Sequence, residues 1–312
     1  MNTLAAWLLL LIYLAFAFSP WRIALMRLSN RWGDWTVGLL VIPFLLAENF
    51  QPDLGDLLRI LIFLALPTLL MRLRSEQKKS LDLLHILVIL SIWVPIEPDL
   101  FVLVVGFFVP GLDLSARLSD LSLLPSIEAL LVPGVGLPVD TLIAVALALY
   151  LFLVRYPLKG LGFTFQLSWG DLKYALIGLL GYAVLGLPIG LGIGFLHYNP
   201  AVTRVLDLVL GALGGYLLVA LIEEVLFRGL IQNLLSERMG NKGIGLMIAS
   251  LVFGLAHLNN TTSGFSVPNW AYVLMASMAG IAYGWVWSRT GKVTASAITH
   301  MMVNLVWGTL FT

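Results

Sequence analysis

The sequence predicts an all-α integral membrane protein, a polytopic helical bundle of about ten transmembrane helices. Three observations carry this reading. Of 312 residues 60% are hydrophobic, and only 11% are charged (18 Lys and Arg, 17 Asp and Glu), against about 25% in soluble domains. So few charges leave too little polar surface to solvate a compact fold of this size, which excludes a soluble protein. The basic residues also gather in alternate connections between apolar runs, as the positive-inside rule requires. The net charge of +1 carries no message, and nothing supports nucleic-acid binding. Cysteine is absent, so disulfides, thiolate metal sites and a cysteine nucleophile are excluded together. Catalysis, if present, must come from Ser, Asp, Glu or His.

The first apolar run, 4–18, has no preceding Lys or Arg and no small-residue cleavage site, and ends at Ser19-Pro20-Trp21-Arg22; it is expected to be a retained span. Further spans are expected at 35–47, 60–71, 83–95, 141–154, 172–196, 206–232, 244–258, 270–287 and 293–310. Several are shorter than the ~20 residues needed to cross, so their ends are loose. The segment 101–110 is set aside as re-entrant or interfacial.

Arg22, Arg27 and Arg31, then Arg72, Arg74, Lys78 and Lys79, then Arg155 and Lys159, Arg238 and Lys242, and Arg289 and Lys292 fall in every second connection. The intervening loops are mainly acidic or uncharged, with Arg59, Arg117 and Arg204 as single exceptions. This alternation places both termini outside the cytoplasm.

The halves differ. Residues 1–157 form a transmembrane region with few intramembrane polar groups. Residues 158–312 open on Ser168-Trp169-Gly170-Asp171, a helix-capping signature, and carry charges and histidines within their spans. Gly186, Gly190 and Gly194 have the GxxxG spacing of close helix packing.

The chemistry is expected at Glu223, Glu224 and Arg228, three charges inside an otherwise apolar helix. Each costs about 2.5–3.5 kcal/mol at a helix centre on insertion scales, so such residues mark a functional interior. Glu224 and Arg228, four apart, can neutralise one another. Glu223 projects about 100° away and is left over, which suits an acid/base group. Phe253 and His257, and His300 and Asn304, are two further pairs at the same spacing. His85, alone in its span, is read as structural. Glu223 and His257 each lie 17 residues from Gly240, the turn between two antiparallel helices, and so should reach similar depth. His300, eight residues beyond Lys292, reaches the same layer.

Glu223-Glu224-x-x-x-Arg228, Phe253-x-x-x-His257 and His300-x-x-x-Asn304, in this order on membrane helices, resemble the three motifs of the CAAX-protease and bacteriocin-processing (CPBP, or Abi) family of intramembrane proteases. The resemblance covers about 163–312. The type II CAAX prenyl endopeptidases of eukaryotes are similar in these motifs. The resemblance implies an endopeptidase in which Glu223 and His257 activate a water, His300 and Asn304 stabilise the oxyanion, and Glu224, Arg228 and Phe253 support the site.

The residue types suit that chemistry: Glu and His can accept a proton from water and return one to the leaving amine, and His and Asn can donate to an oxyanion. The expected partners are the bilayer and a membrane-associated protein or peptide substrate, met from the cytoplasmic side. No cofactor is expected. A Zn²⁺ version with Glu223, His257 and His300 as ligands is the alternative within the same family, although the HExxH spacing of helical zinc proteases is missing. A transporter or proton-relay protein is the alternative outside it, since intramembrane Glu, Arg and His also build such sites; it would favour an internal repeat, and none is visible.

Overall fold

A computed structural model describes residues 2–73, 81–97, 106, 124–125, 127–132 and 135–311. Apart from residue 106, the segment 101–110 lies outside the described residues, as do Arg74, Lys78, Lys79 and Arg117. The chain divides into two compact units, Met1–Leu158 and Lys159–Thr312.

In the first unit, α1 (Asn2–Ala15) is followed by α2 (Ser19–Trp32), and a 3₁₀ stretch (Gly33–Leu40) leads into α3 (Val41–Ala47). The sequence reading left 19–32 as a basic connection; it is a helix. Pro20 suits its first turn, and the turns that follow leave Arg27 and Arg31 exposed. The segment Ser19–Ala47 is bent by 98° from α1. α4 (Leu54–Arg72) begins at Asp53, whose side chain accepts from Gly55 N. α5 (Leu83–Trp93) begins at Asp82, which exchanges hydrogen bonds with His85 in a reciprocal cap. His85 is buried and its Nδ1 lies 3.0 Å from Asp82 Oδ1, the structural use expected of it.

A second correction to the all-α expectation is a small antiparallel hairpin, β1 (Glu128–Val132) with β2 (Val135–Pro138). It lies in a stretch read as loop, and five- and four-residue strands give too short a pattern to recognise. β2 runs directly into α6 (Val139–Leu149), which continues as a π-helical turn, Tyr150–Arg155.

The second unit contains α7 (Trp169–Gly192), α8 (Val205–Met239), α9 (Lys242–Leu255), α10 (Trp270–Thr290) and α11 (Val293–Leu310). Ser168 and Asp171 form the capping box at the start of α7. The GxxxG reading needs correction: Gly194 lies past the end of α7 with φ of 73°. Gly190 keeps a close approach, since a Cβ there would meet Met275 of α10 at 3.0 Å, and a tighter one lies at Gly178, where a Cβ would meet Val286 of α10 at 2.6 Å and Thr299 of α11 at 3.2 Å. α8 continues seven residues past the expected end, to Met239. Gly240 then turns the chain in the left-handed region, and the Asn241 side chain caps α9. α10 packs against both α9 and α7, while α11 packs against α7, α10 and the middle of α8. This brings the midpoints of α8, α9, α10 and α11 together.

Among the described residues, α4, α7 and α8 are long and apolar enough to cross a membrane, and α1 with Ser19–Ala47 makes a fourth if that bent pair is one span. α10 and α11, at 21 and 18 residues, carry polar residues that lower their hydropathy. Those residues build the site. The protein is a helical integral membrane protein.

Candidate active site

Glu223 and Glu224 sit on α8 between two π-helical stretches, Gly215–Ala220 and Val225–Gln232. Such widened turns rotate the side chains beyond them relative to an ordinary helix, and they recur at functional sites. The two carboxylates face different surroundings. Glu224 is fully buried, with Oε2 3.2 Å from Nε of the equally buried Arg228 and in hydrogen-bond contact with the Ser296 hydroxyl. Its Oε1 lies 3.1 Å from His300 Nδ1. Both oxygens of Glu224 are therefore engaged.

Glu223, by contrast, keeps its side chain 30% exposed, and its buried Oε2 has no hydrogen-bond partner among the described residues. That oxygen lies 3.9 Å from His300 Nε2. His257 is within electrostatic reach of Glu223. Its Nδ1, 2.8 Å from the Phe253 carbonyl, must carry hydrogen to donate there, which leaves Nε2 as a free acceptor.

Aromatic rings hold these groups in place. Tyr283 stacks on His300 with centroids 4.4 Å apart and planes at 14°, and Phe253 meets His300 edge-on at 5.6 Å. Tyr272 stacks on His257 at 5.1 Å. The Arg228 guanidinium lies 4.8 Å from the Phe253 centroid and 5.7 Å from that of Tyr283. A desolvated cation over an aromatic face gains about 2 kcal/mol, which offsets part of the cost of burying it. Phe253 is thus the common floor beneath Arg228, His257 and His300.

The structure brings Glu223, Glu224, Arg228, Phe253, His257 and His300 into one cluster. Asn304, half-buried one turn beyond His300 on α11, makes no hydrogen bond among the described residues. The sequence reading missed Ser296, Tyr283 and Tyr272. Ser296 had a usable signal, since it precedes His300 by one turn and shares the face of His300 and Asn304. Tyr283 and Tyr272 had none, because only the packing of α10 turns their rings onto the histidines. Also missed was Gln232, fully buried, whose amide donates to the Gly284 carbonyl and to the Ser288 hydroxyl.

Among the described residues no three His, Asp or Glu side chains are grouped so as to hold a metal ion. Of the ligand set considered for Zn²⁺, Glu223, His257 and His300, the structure places Glu223 Oε2 3.9 Å from His300 Nε2. Glu224 cannot complete it while Arg228, Ser296 and His300 occupy its oxygens.

Residues 205–306, which include every residue of this cluster, match the family described as Type II CAAX prenyl endopeptidase Rce1-like. The UPF0177 protein YxdF of Lactococcus lactis subsp. lactis (strain IL1403) is 35% identical over 92 residues, a stretch covering 30% of this chain and 45% of that protein. The match thus spans less than half the length of that relative. No solved structure matches. The family match is narrower than the 163–312 read from the motifs, but it is a match to the family that the motifs resemble: over residues 205–306 the chain is similar to the Rce1-like type II CAAX prenyl endopeptidases.

Proposed function

We propose that the second unit is an intramembrane endopeptidase that hydrolyses a peptide bond of a membrane-associated protein or peptide. One observation carries the reading: Glu223 presents a carboxylate oxygen with no hydrogen-bond partner among the described residues, 3.9 Å from His300 Nε2, while its neighbour Glu224 is fully engaged. A water between Glu223 Oε2 and His257 Nε2 loses a proton to this pair as its oxygen attacks the peptide carbonyl. The pair then returns a proton to the leaving amine.

The carbonyl oxygen becomes an oxyanion, for which Asn304 and His300 are the donors. His300 fills that role only as an imidazolium, because its Nδ1 hydrogen is directed at Glu224 and Nε2 must carry a second one. Two carboxylates, Arg228 and His300 in that form carry no net charge, which suits a cluster inside an apolar helix bundle. We take the chemistry to be metal-free.

The remainder of the reading is topological. About ten crossings, both termini outside and a site opening to the cytoplasm follow from the basic loops at Arg155/Lys159, Arg238/Lys242 and Arg289/Lys292. Residues 1–157 are a transmembrane region accompanying the protease domain of 158–312. The matched family's name refers to prenylated CAAX proteins; for this chain the substrate class stays at a membrane-associated protein or peptide.

The test is a comparison of membrane-protein termini in cells carrying the wild type or Glu223→Gln, paired with cleavage of the resulting candidate peptides by the purified protein in liposomes. New termini that depend on Glu223 and are reproduced in liposomes support the protease. Proton or solute flux through those liposomes without cleavage would favour the transport reading instead.

A further inference from the structure

Away from the catalytic cluster, the first unit contains a cavity of about 530 Å³ between the α2–α3 segment, α4 and the end of α6. Its size suits a small-molecule or lipid site. The walls divide by chemistry. Val37, Leu61, Leu64 and Leu69 form an apolar side, and Arg72 and Arg155 stand with Asp34 on the polar side.

Both arginines are the last residues of apolar helical stretches, α4 and the π-helical turn after α6. They therefore lie where a helix leaves hydrocarbon for headgroups. Trp32 and Trp35 also line the cavity and are exposed, Trp35 at 87%. Indole rings favour that interfacial zone.

The charges are unequally used. Arg155 Nε donates to Asp34 Oδ1 at 2.7 Å and its guanidinium lies against the Tyr156 ring. Arg72 is exposed at its end of the cavity and makes no ion pair among the described residues. The three groups leave one net positive charge. A zwitterionic lipid would bring its own cation beside Arg72 and leave the net positive charge unbalanced, and a simple anion would leave the apolar wall uncovered. An amphiphile with an anionic head satisfies both.

We infer that this cavity is a binding site for an anionic phospholipid, whose phosphate pairs with Arg72 and whose acyl chain lies along Leu61, Leu64 and Leu69. The site is independent of the protease chemistry.

The experiment uses the full-length protein in nanodiscs of equal phosphatidylglycerol and phosphatidylcholine, released into neutral detergent and weighed by native mass spectrometry. Phosphatidylglycerol is expected to be retained several-fold over phosphatidylcholine, with the preference falling to parity in Arg72→Gln and persisting in Arg72→Lys. In the unaltered protein, phosphatidylglycerol and not phosphatidylcholine should slow phenylglyoxal modification of Arg72, a readout that needs no variant to fold. Inorganic phosphate should leave the retained lipid in place. Equal retention of the two lipids by the wild type, an unchanged preference in a folded Arg72→Gln, or displacement by phosphate alone would each overturn the assignment.

Discussion

His300 turns its Nδ1 to Glu224, 3.1 Å from Oε1, so that the second carboxylate of the Glu-Glu pair holds the histidine as well as the arginine. Glu224 therefore joins α8 to α11 and fixes which edge of the His300 ring faces Glu223. The two adjacent glutamates differ in their surroundings: one is bound into the helix packing by both oxygens, and the other keeps an oxygen with no hydrogen-bond partner among the described residues.

That difference separates two variants of the same type. Glu223→Gln is expected to reduce cleavage by ~10²-fold or more while lowering the unfolding midpoint of the purified protein less than Glu224→Gln does, since Glu223 Oε2 has no hydrogen bond that the change would remove. Glu224→Gln leaves Arg228 buried without its counter-charge, a loss on the scale of ~3–5 kcal/mol. It should therefore lower stability as well as activity. Cleavage by Glu223→Gln at a tenth of the wild-type rate would end its assignment as base.

Asn304 supplies a test of the oxyanion site. Asn304→Ala should lower kcat by ~10²-fold, the scale for losing one such donor, with KM little changed. A rise in KM at constant kcat would assign Asn304 to substrate binding instead.

Ser296 bonds to the Glu224 carboxylate that faces His300, and Tyr283 stacks on the His300 ring. Ser296→Ala removes a donor to Glu224, and a net hydrogen bond to a charged group is worth ~1.5–3 kcal/mol. The expected result is a lower kcat with an altered pH profile, because the Glu224 carboxylate that contacts both Ser296 and His300 is less firmly placed. An unchanged pH profile with simple loss of stability would make the role of Ser296 structural only.

The orientation is tested in a chain that has no cysteine of its own. Cysteine in place of Lys242, the exposed first residue of α9, should resist an impermeant thiol reagent in intact cells. Cysteine in place of Ser263, exposed in the loop before α10, should react. The opposite labelling would invert the topology.

Metal dependence separates two chemistries by one treatment. Cleavage should survive prolonged exposure to a strong chelator. Stoichiometric Zn²⁺ in active protein, lost with activity and restored with it, would establish a metalloprotease.

The sequence alone determined the membrane class, the family resemblance and which intramembrane polar residues to look at. A charge or histidine within an apolar helix carries so large an insertion cost that its position is informative without any structure, and helical spacing then pairs Glu224 with Arg228. It could not assign α2, whose three arginines resemble a loop, nor the 128–138 hairpin, whose strands are too short for a periodic pattern. Tertiary structure alone decided what each site group touches. The π-helical turns on either side of Glu223 and Glu224 reset the angular order of side chains along α8, and the close approach of α10 and α11 gave His300 to Glu224 and laid Tyr283 on its face. Those contacts join residues more than 10 positions apart, and they follow from how four helices pack, a property that no local spacing encodes.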